Sequence, residues 1–199
     1  MTADLGTVPP PSPETAPESA PEVRELLFDT DHSLGSVLER TVGPDIRLIV
    51  VGQSTISPPH PPWVSPPLGD DRDLRLRVTS YRLGDEALSW NLAFLDEERI
   101  GKTLARDLRT GRIHLGSILG QARFAKGRPT VGTHEDAGDL AGLLGRAFSG
   151  PLGAFAWRHY GVEAGGQPSM VIVEALPIGT CRRLLSASLT SGPPAEIRK

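Results

Sequence analysis

The residue whose chemistry fits its surroundings least is Glu174. It falls in Met170-Val171-Ile172-Val173-Glu174-Ala175-Leu176-Pro177, where two-residue alternation puts it on the face of Met170, Ile172 and Leu176. A carboxylate on such a face is desolvated unless a cation reaches it, and desolvation raises its pKa. A carboxyl held that way exchanges protons near neutrality, as a general acid must. A structural ion pair that fixes strand register would show the same pattern. Arg77 and Arg75 share one face of a second alternating run. Their planar forks suit a carboxylate, which each can take through two parallel hydrogen bonds. Together they would anchor an acidic small molecule, although two solvated arginines on an outer face would look alike. Arg158, in Trp157-Arg158-His159-Tyr160, is a third cation close to Glu174 across one hairpin. It completes an anion pocket or serves as the acid's structural partner.

Other chemistry is largely excluded. The histidines at 32, 60, 114, 134 and 159 show no HExxH or comparable metal spacing. Neither a GxGxxG fingerprint, a Walker-type phosphate loop nor a GxSxG elbow occurs. Cys181 is the only cysteine, so there is no internal disulfide and no cysteine-based zinc site. What remains is acid–base chemistry on a small anion, with no metal or cofactor expected.

The elements that must position these groups are legible in outline. Ser33 as N-cap and the apolar residues Leu34, Val37 and Leu38 predict a helix over 34–41, stopped by Gly43-Pro44. The β-branched run 46–51 predicts a buried strand. Residues 57–63, crowded with proline, predict a long surface loop. Leu74, Leu76 and Val78 alternate with the arginines, and Gly84-Asp85 turns this strand into a hairpin with 87–95. Residues 97–108 and 113–119 have helical spacing. A last hairpin pairs 155–162 with 169–176. Long hairpins with grouped helices argue for an α+β fold rather than a doubly wound one.

The prolines, 19 in all, crowd into the first 22 residues, into 58–67 and into the last few positions. Residues 1–22 read as a disordered acidic tail, 23–185 as one domain and 186–199 as a flexible end. A formal net charge of -3 gives no footprint for nucleic acid or an anionic membrane. No basic, apolar leader and no membrane-length apolar run is seen, so the cytoplasm is the expected compartment.

Four segments resemble the chorismate pyruvate-lyase family, most closely its actinobacterial 4-hydroxybenzoate synthases. Ser33-Leu34-Gly35-Ser36-Val37-Leu38-Glu39 is similar to the family's "DGS(M/L)T" turn and following helix. Arg77-Val78-Thr79-Ser80-Tyr81 resembles its arginine strand, and His114-Leu115-Gly116-Ser117-Ile118-Leu119 its "PLG-x-x-L" segment. Arg158-His159-Tyr160-Gly161-Val162, Gly165-Gly166-Gln167-Pro168 and Met170-Val171-Ile172-Val173-Glu174 together resemble the "RRY…GGQP-x-MV-x-x-E" hairpin. The resemblance spans residues 24–178. It implies a chorismate lyase-like, UTRA-like α+β fold: a six-stranded antiparallel sheet, with helices on one side enclosing the ligand.

The resemblance also implies cofactor-free elimination of pyruvate from chorismate to give 4-hydroxybenzoate, a carbon–oxygen lyase activity. Glu174 and Arg77 then stand at the catalytic positions. Leu34 and Leu115 lie beside the ligand, and Arg158 beside the active-site hairpin. Arg75 and Tyr160 join them as candidate substrate-binding residues. Departures at Asp31-His32-Ser33, Gly35, His114 and His159 adjoin the pocket. They leave two rivals: the same fold acting on another carboxylate in secondary metabolism, or a non-catalytic binding module. The fold also serves as the effector domain of certain bacterial transcription regulators, whose winged helix-turn-helix has no counterpart in the short proline-rich start.

Overall fold

A computed structural model describes residues 33–190 except 111, 112, 114, 122 and 151. The expected tail over 1–22, the start of the domain near Val23 and the departures at Asp31, His32 and His114 lie outside the described residues, as does 191–199.

Helix α1 (Leu34–Val42) begins where Ser33 Oγ accepts the Ser36 N–H, and it ends at Gly43. Strand β1 (Arg47–Ile56) follows, then a short helix α2 (Ser65–Leu68). Strand β2 (Leu74–Leu83) turns into β3 (Glu86–Ala87) and continues as β4 (Trp90–Leu95). The helical stretch after it is split at Gly101, whose φ of 91° breaks α3 (Glu97–Ile100) from α4 (Lys102–Arg109). Helix α5 (Leu115–Leu119), strands β5 (Phe124–Lys126) and β6 (Thr130–Thr133), and helix α6 (Asp139–Phe148) come next. The final hairpin is β7 (Phe155–Ala164) and β8 (Gln167–Pro177). Both residues of its turn, Gly165 and Gly166, have positive φ, which the favoured two-residue hairpin turn demands. Helix α7 (Ile178–Thr190) extends five residues past the expected domain end at 185.

The sheet is antiparallel throughout, in the order β1-β2-β4-β8-β7-β5, with β3 beside β2 and β6 beside β7. The expected six strands are its continuous path, and the two short strands bring the total to eight. Helices cover both faces rather than one. Leu74, Val78, Leu92, Phe94, Val171 and Val173 pack on one face beneath Leu68 of α2 and Leu140 and Leu144 of α6. The opposite face carries Ala93, Ile172 and Tyr160 under Leu104 and Leu108 of α4, and Leu176 and Ala156 under Leu34 and Leu38 of α1.

One expectation fails plainly. The run at 46–51 is not a buried strand: Ile49, Val50 and Val51 are 41%, 39% and 48% exposed. The cause is position. Among the described residues, β1 is the sheet's outer strand and pairs with β2 alone, so its β-branched side chains stand at an edge.

Candidate carboxylate-binding cavity

The second face of the sheet carries an ordered arrangement of polar groups. Cross-strand pairing lines up Thr79 of β2, Asn91 of β4, Glu174 of β8 and Arg158 of β7 in one row. Two residues along, the next row is Arg77, Ala93, Ile172 and Tyr160. Side chains in a row share a face because the pairing is antiparallel and in register. Helices α1 and α5 close over them. The result is a cavity of about 50 Å³ lined by Arg77, Thr79, Tyr81, Asn91, Leu92, Ala93, Ile172 and Glu174 from the sheet. Ser33, Leu34 and Gly35 from the start of α1, Leu48 from β1, and Leu115, Gly116 and Leu119 from α5 complete its wall. That volume holds a few waters. A ring-bearing ligand is larger, so its entry requires the leucine wall to retreat. An open groove lies directly outside and shares Ser33, Gly35, Leu48, Tyr81 and Gly116 with the cavity.

Arg77 is the central charge. Its side chain is 2% exposed. Nη1 donates to the carbonyl of Leu108 in the last turn of α4, a site where a cation also complements the helix dipole. Nε and Nη2 are buried with no hydrogen-bond partner. These two donors form the guanidinium edge that holds a carboxylate with parallel bonds. Burial lowers the Arg77 pKa from its ordinary value, yet an arginine keeps its proton in proteins. The cavity therefore contains a fixed positive charge with an idle fork.

Glu174 stands in the neighbouring row, directly opposite Asn91, its side chain 12% exposed, with Oε2 at 2.5 Å from Arg158 Nε. Arg158 is 6% exposed and its guanidinium also lies 5.7 Å from the Tyr160 ring centre. Neither Arg158 nor Tyr160 lines the cavity. Tyr160 is packed among core residues, and burial first, then the Glu174 charge, pushes its phenol well above the usual range. Arg75 shares the face of Arg77 but points its Nε to Glu97 Oε1 at 3.2 Å, away from the cavity. The expected pair of strand arginines thus separates into one cavity arginine and one partly exposed ion pair.

Thr79, Tyr81 and Asn91 were not foreseen as site residues. Tyr81 reaches across to α1, and a Cβ on Gly35 would sit 2.3 Å from its Oη. Any side chain at 35 would force that ring tip to shift. Burial, then the charges of Glu174 and Glu39, pushes the Tyr81 phenol up to about 12.

No family model matches the chain, and no curated protein matches it. Among solved structures, it is similar to the C-terminal domain of the histidine utilization repressor from Pseudomonas syringae pv. tomato str. DC3000. The TM-score is 0.51 at 9% identity, over 68% of this chain and 93% of that one. The two domains share a fold. Gene product SA0254 from Staphylococcus aureus subsp. aureus N315 gives a TM-score of 0.47 at 12% identity, over 76% of this chain and 90% of that one. A GntR-family transcriptional regulator from Enterococcus faecalis V583 gives 0.43 at 12% identity, over 65% and 92%. The expected α+β architecture holds. Among the described residues, no helix is long and apolar enough to cross a membrane, and no cluster of potential metal ligands occurs.

Proposed function

We propose that this domain binds a small carboxylated molecule in this cavity, with Arg77 as the carboxylate anchor. The observation that carries this reading is the idle edge of Arg77, two buried donors without partners on a residue that lines the cavity. Buried donors cost stability while unpaired, and a bound carboxylate recovers that cost. Burial of the Arg77 guanidinium lowers the dielectric around such a pair and strengthens it. Leu34 and Leu115 supply apolar contacts to the body of the ligand, and Glu174, held by Arg158, contributes a fixed acceptor. A repressor domain has the same fold, which accords with binding without turnover. Calorimetric titration with benzoate tests the proposal. Arg77→Met should lower affinity by about a hundredfold, the worth of a charge-assisted pair. Equal affinity in wild type and variant would overturn it.

Glu174 in the same cavity favours a second reading: elimination of pyruvate from chorismate. In it Arg77 holds a carboxylate, the ether C–O bond breaks, and the ring loses a hydrogen to become aromatic. Glu174 carries the proton at the ether oxygen or the ring position. Release of the enol and its conversion to pyruvate leave 4-hydroxybenzoate, and aromatisation drives the reaction without redox. Incubation with chorismate, followed by chromatography for pyruvate and 4-hydroxybenzoate, separates the two readings. Absence of both products leaves binding alone. Turnover unchanged in Glu174→Gln would remove the acid from the mechanism.

A further inference from the structure

We infer that the last turn of α4 positions Arg77 for its ligand, so that filling the cavity tightens that turn and loosening the turn weakens binding. The inference rests on the carboxylate reading above and deepens it by naming the element through which occupancy of the site is felt elsewhere in the fold.

A helix leaves its last four carbonyls without partners in its own body. In α4 they belong to Arg106, Asp107, Leu108 and Arg109. Thr110 takes the first two. Its N–H and Oγ1 reach the Arg106 carbonyl at 3.0 and 3.1 Å, and Oγ1 lies 3.3 Å from that of Asp107. The sheet takes the other two. Arg77 Nη1 donates to the Leu108 carbonyl, and Gln53 Nε2 to the Arg109 carbonyl at 3.3 Å. Gln53 and Arg77 are direct cross-strand partners of β1 and β2. Glu97 adds a third tie, with Oε1 3.2 Å from Arg75 Nε and Oε2 3.6 Å from Arg109 Nη1. An eight-residue helix is too short to hold itself together in water, so these ties and the packing of Leu104 and Leu108 keep its end in place.

The cavity arginine is thus one of the posts that hold α4. Among the described residues the Leu108 carbonyl is the acceptor on its guanidinium, and Nε and Nη2 have none. The helix carbonyl and a carboxylate use different N–H groups of one planar fork, so neither displaces the other. Fixing an arginine side chain costs it much rotamer freedom. Whichever acceptor fixes it first spares the other that cost, which makes the two holds mutually supporting. Coupling between binding equilibria is reciprocal. The factor by which a closed turn improves affinity equals the factor by which the ligand favours the closed turn.

Two measurements with benzoate test this. The first is residue-resolved hydrogen exchange of the Arg109 and Thr110 amides, which exchange when the turn opens locally. Saturating benzoate should slow them by about fivefold, the low end of the usual coupling between sites. Amides in the last turn of α6, which packs on the other face of the sheet, should keep their rates. The second compares the affinities of Arg109→Ala and Arg109→Pro. Both remove a side chain that does not line the cavity. Alanine keeps the helix, whereas proline disfavours helical backbone at Leu108 and turns its carbonyl away. The alanine variant should match wild type, and the proline variant should bind about fivefold more weakly. If the proline variant does not fold, Arg109→Gly takes its place against the same alanine control. Unchanged or faster exchange in the α4 turn, equal slowing in the α6 turn, or equal affinity of the two variants overturns the inference and leaves the carboxylate reading standing. If benzoate does not bind, or binds Arg77→Met as tightly as wild type, the carboxylate reading itself falls and this inference with it.

Discussion

Replacing Gly35 by alanine sets helix propensity against packing. Gly35 lies in the first turn of α1, where alanine normally improves a helix by up to about 1 kcal/mol. Here the added Cβ would meet Tyr81 Oη at 2.3 Å, Cζ at 2.9 Å and Cε1 at 3.2 Å. Ordinary carbon contacts begin at about 3.5 Å, so the ring tip must retreat by roughly 1 Å. A tyrosine ring is rigid, and Tyr81 packs partly buried against the core cluster of Leu34 and Leu38, so the retreat must come from rotating its two side-chain torsions off their rotamer. Overpacking of this kind costs about 1–3 kcal/mol. Gly35→Ala should therefore destabilise the protein by about 1–2 kcal/mol net, read as a lower urea midpoint at unchanged slope. In a Tyr81→Leu background the obstruction is gone, and the same alanine should be neutral or stabilising. The double-mutant cycle should yield a coupling of about 1–3 kcal/mol. A Gly35→Ala protein as stable as wild type, or an equal loss in the Tyr81→Leu background, would refute the claim that glycine at 35 exists to seat this ring.

Other outcomes follow from the buried groups. Arg158→Met strands Glu174 without the guanidinium it pairs with and should cost about 3–5 kcal/mol in urea unfolding, with much of the loss restored by adding Glu174→Gln. Cys181 is fully buried and burial pushes its thiol up to about 12. A thiol reagent at pH 8 should leave the native protein unlabelled and label it rapidly in denaturant. Tyr81, at about 12 folded against 10.0 unfolded, keeps its proton longer in the native state than in the unfolded one. Its contribution is thus whole below pH 10 and is lost as pH rises towards 12, by up to roughly 2.7 kcal/mol. Tyr81→Phe should flatten that part of the pH–stability curve, and an unchanged slope would contradict the assignment.

The alternation of β2 and β8 was visible in the residues themselves: with a side-chain period fixed at two, it put Glu174 on the face of Met170, Ile172 and Leu176 and Arg77 opposite Leu74, Leu76 and Val78, without saying which face of β2 would be covered. Ser33 and Gly43 bounded α1 by the ordinary rules of capping, and Gly165-Gly166 announced the last turn. Two missed residues also left a local signal. Tyr81 follows Arg77 at an even spacing on the same face, and Asn91 is a lone amide in an apolar strand, an anomaly of the same kind as Glu174. Their significance was invisible because pairing is non-local. Nothing in residues 74–95 says that Asn91 will stand opposite Glu174, or that Arg75 will find Glu97 while Arg77 keeps an idle edge. Strand order decided the fate of Ile49, Val50 and Val51, since a β-branched run suits a central strand and an outer one equally, and only the neighbour on its far side distinguishes them. Local chemistry determined which groups could act. The packing of α1, α4 and α5 over four paired strands decided which of them share a cavity, because contacts between distant segments are set by the whole fold at once.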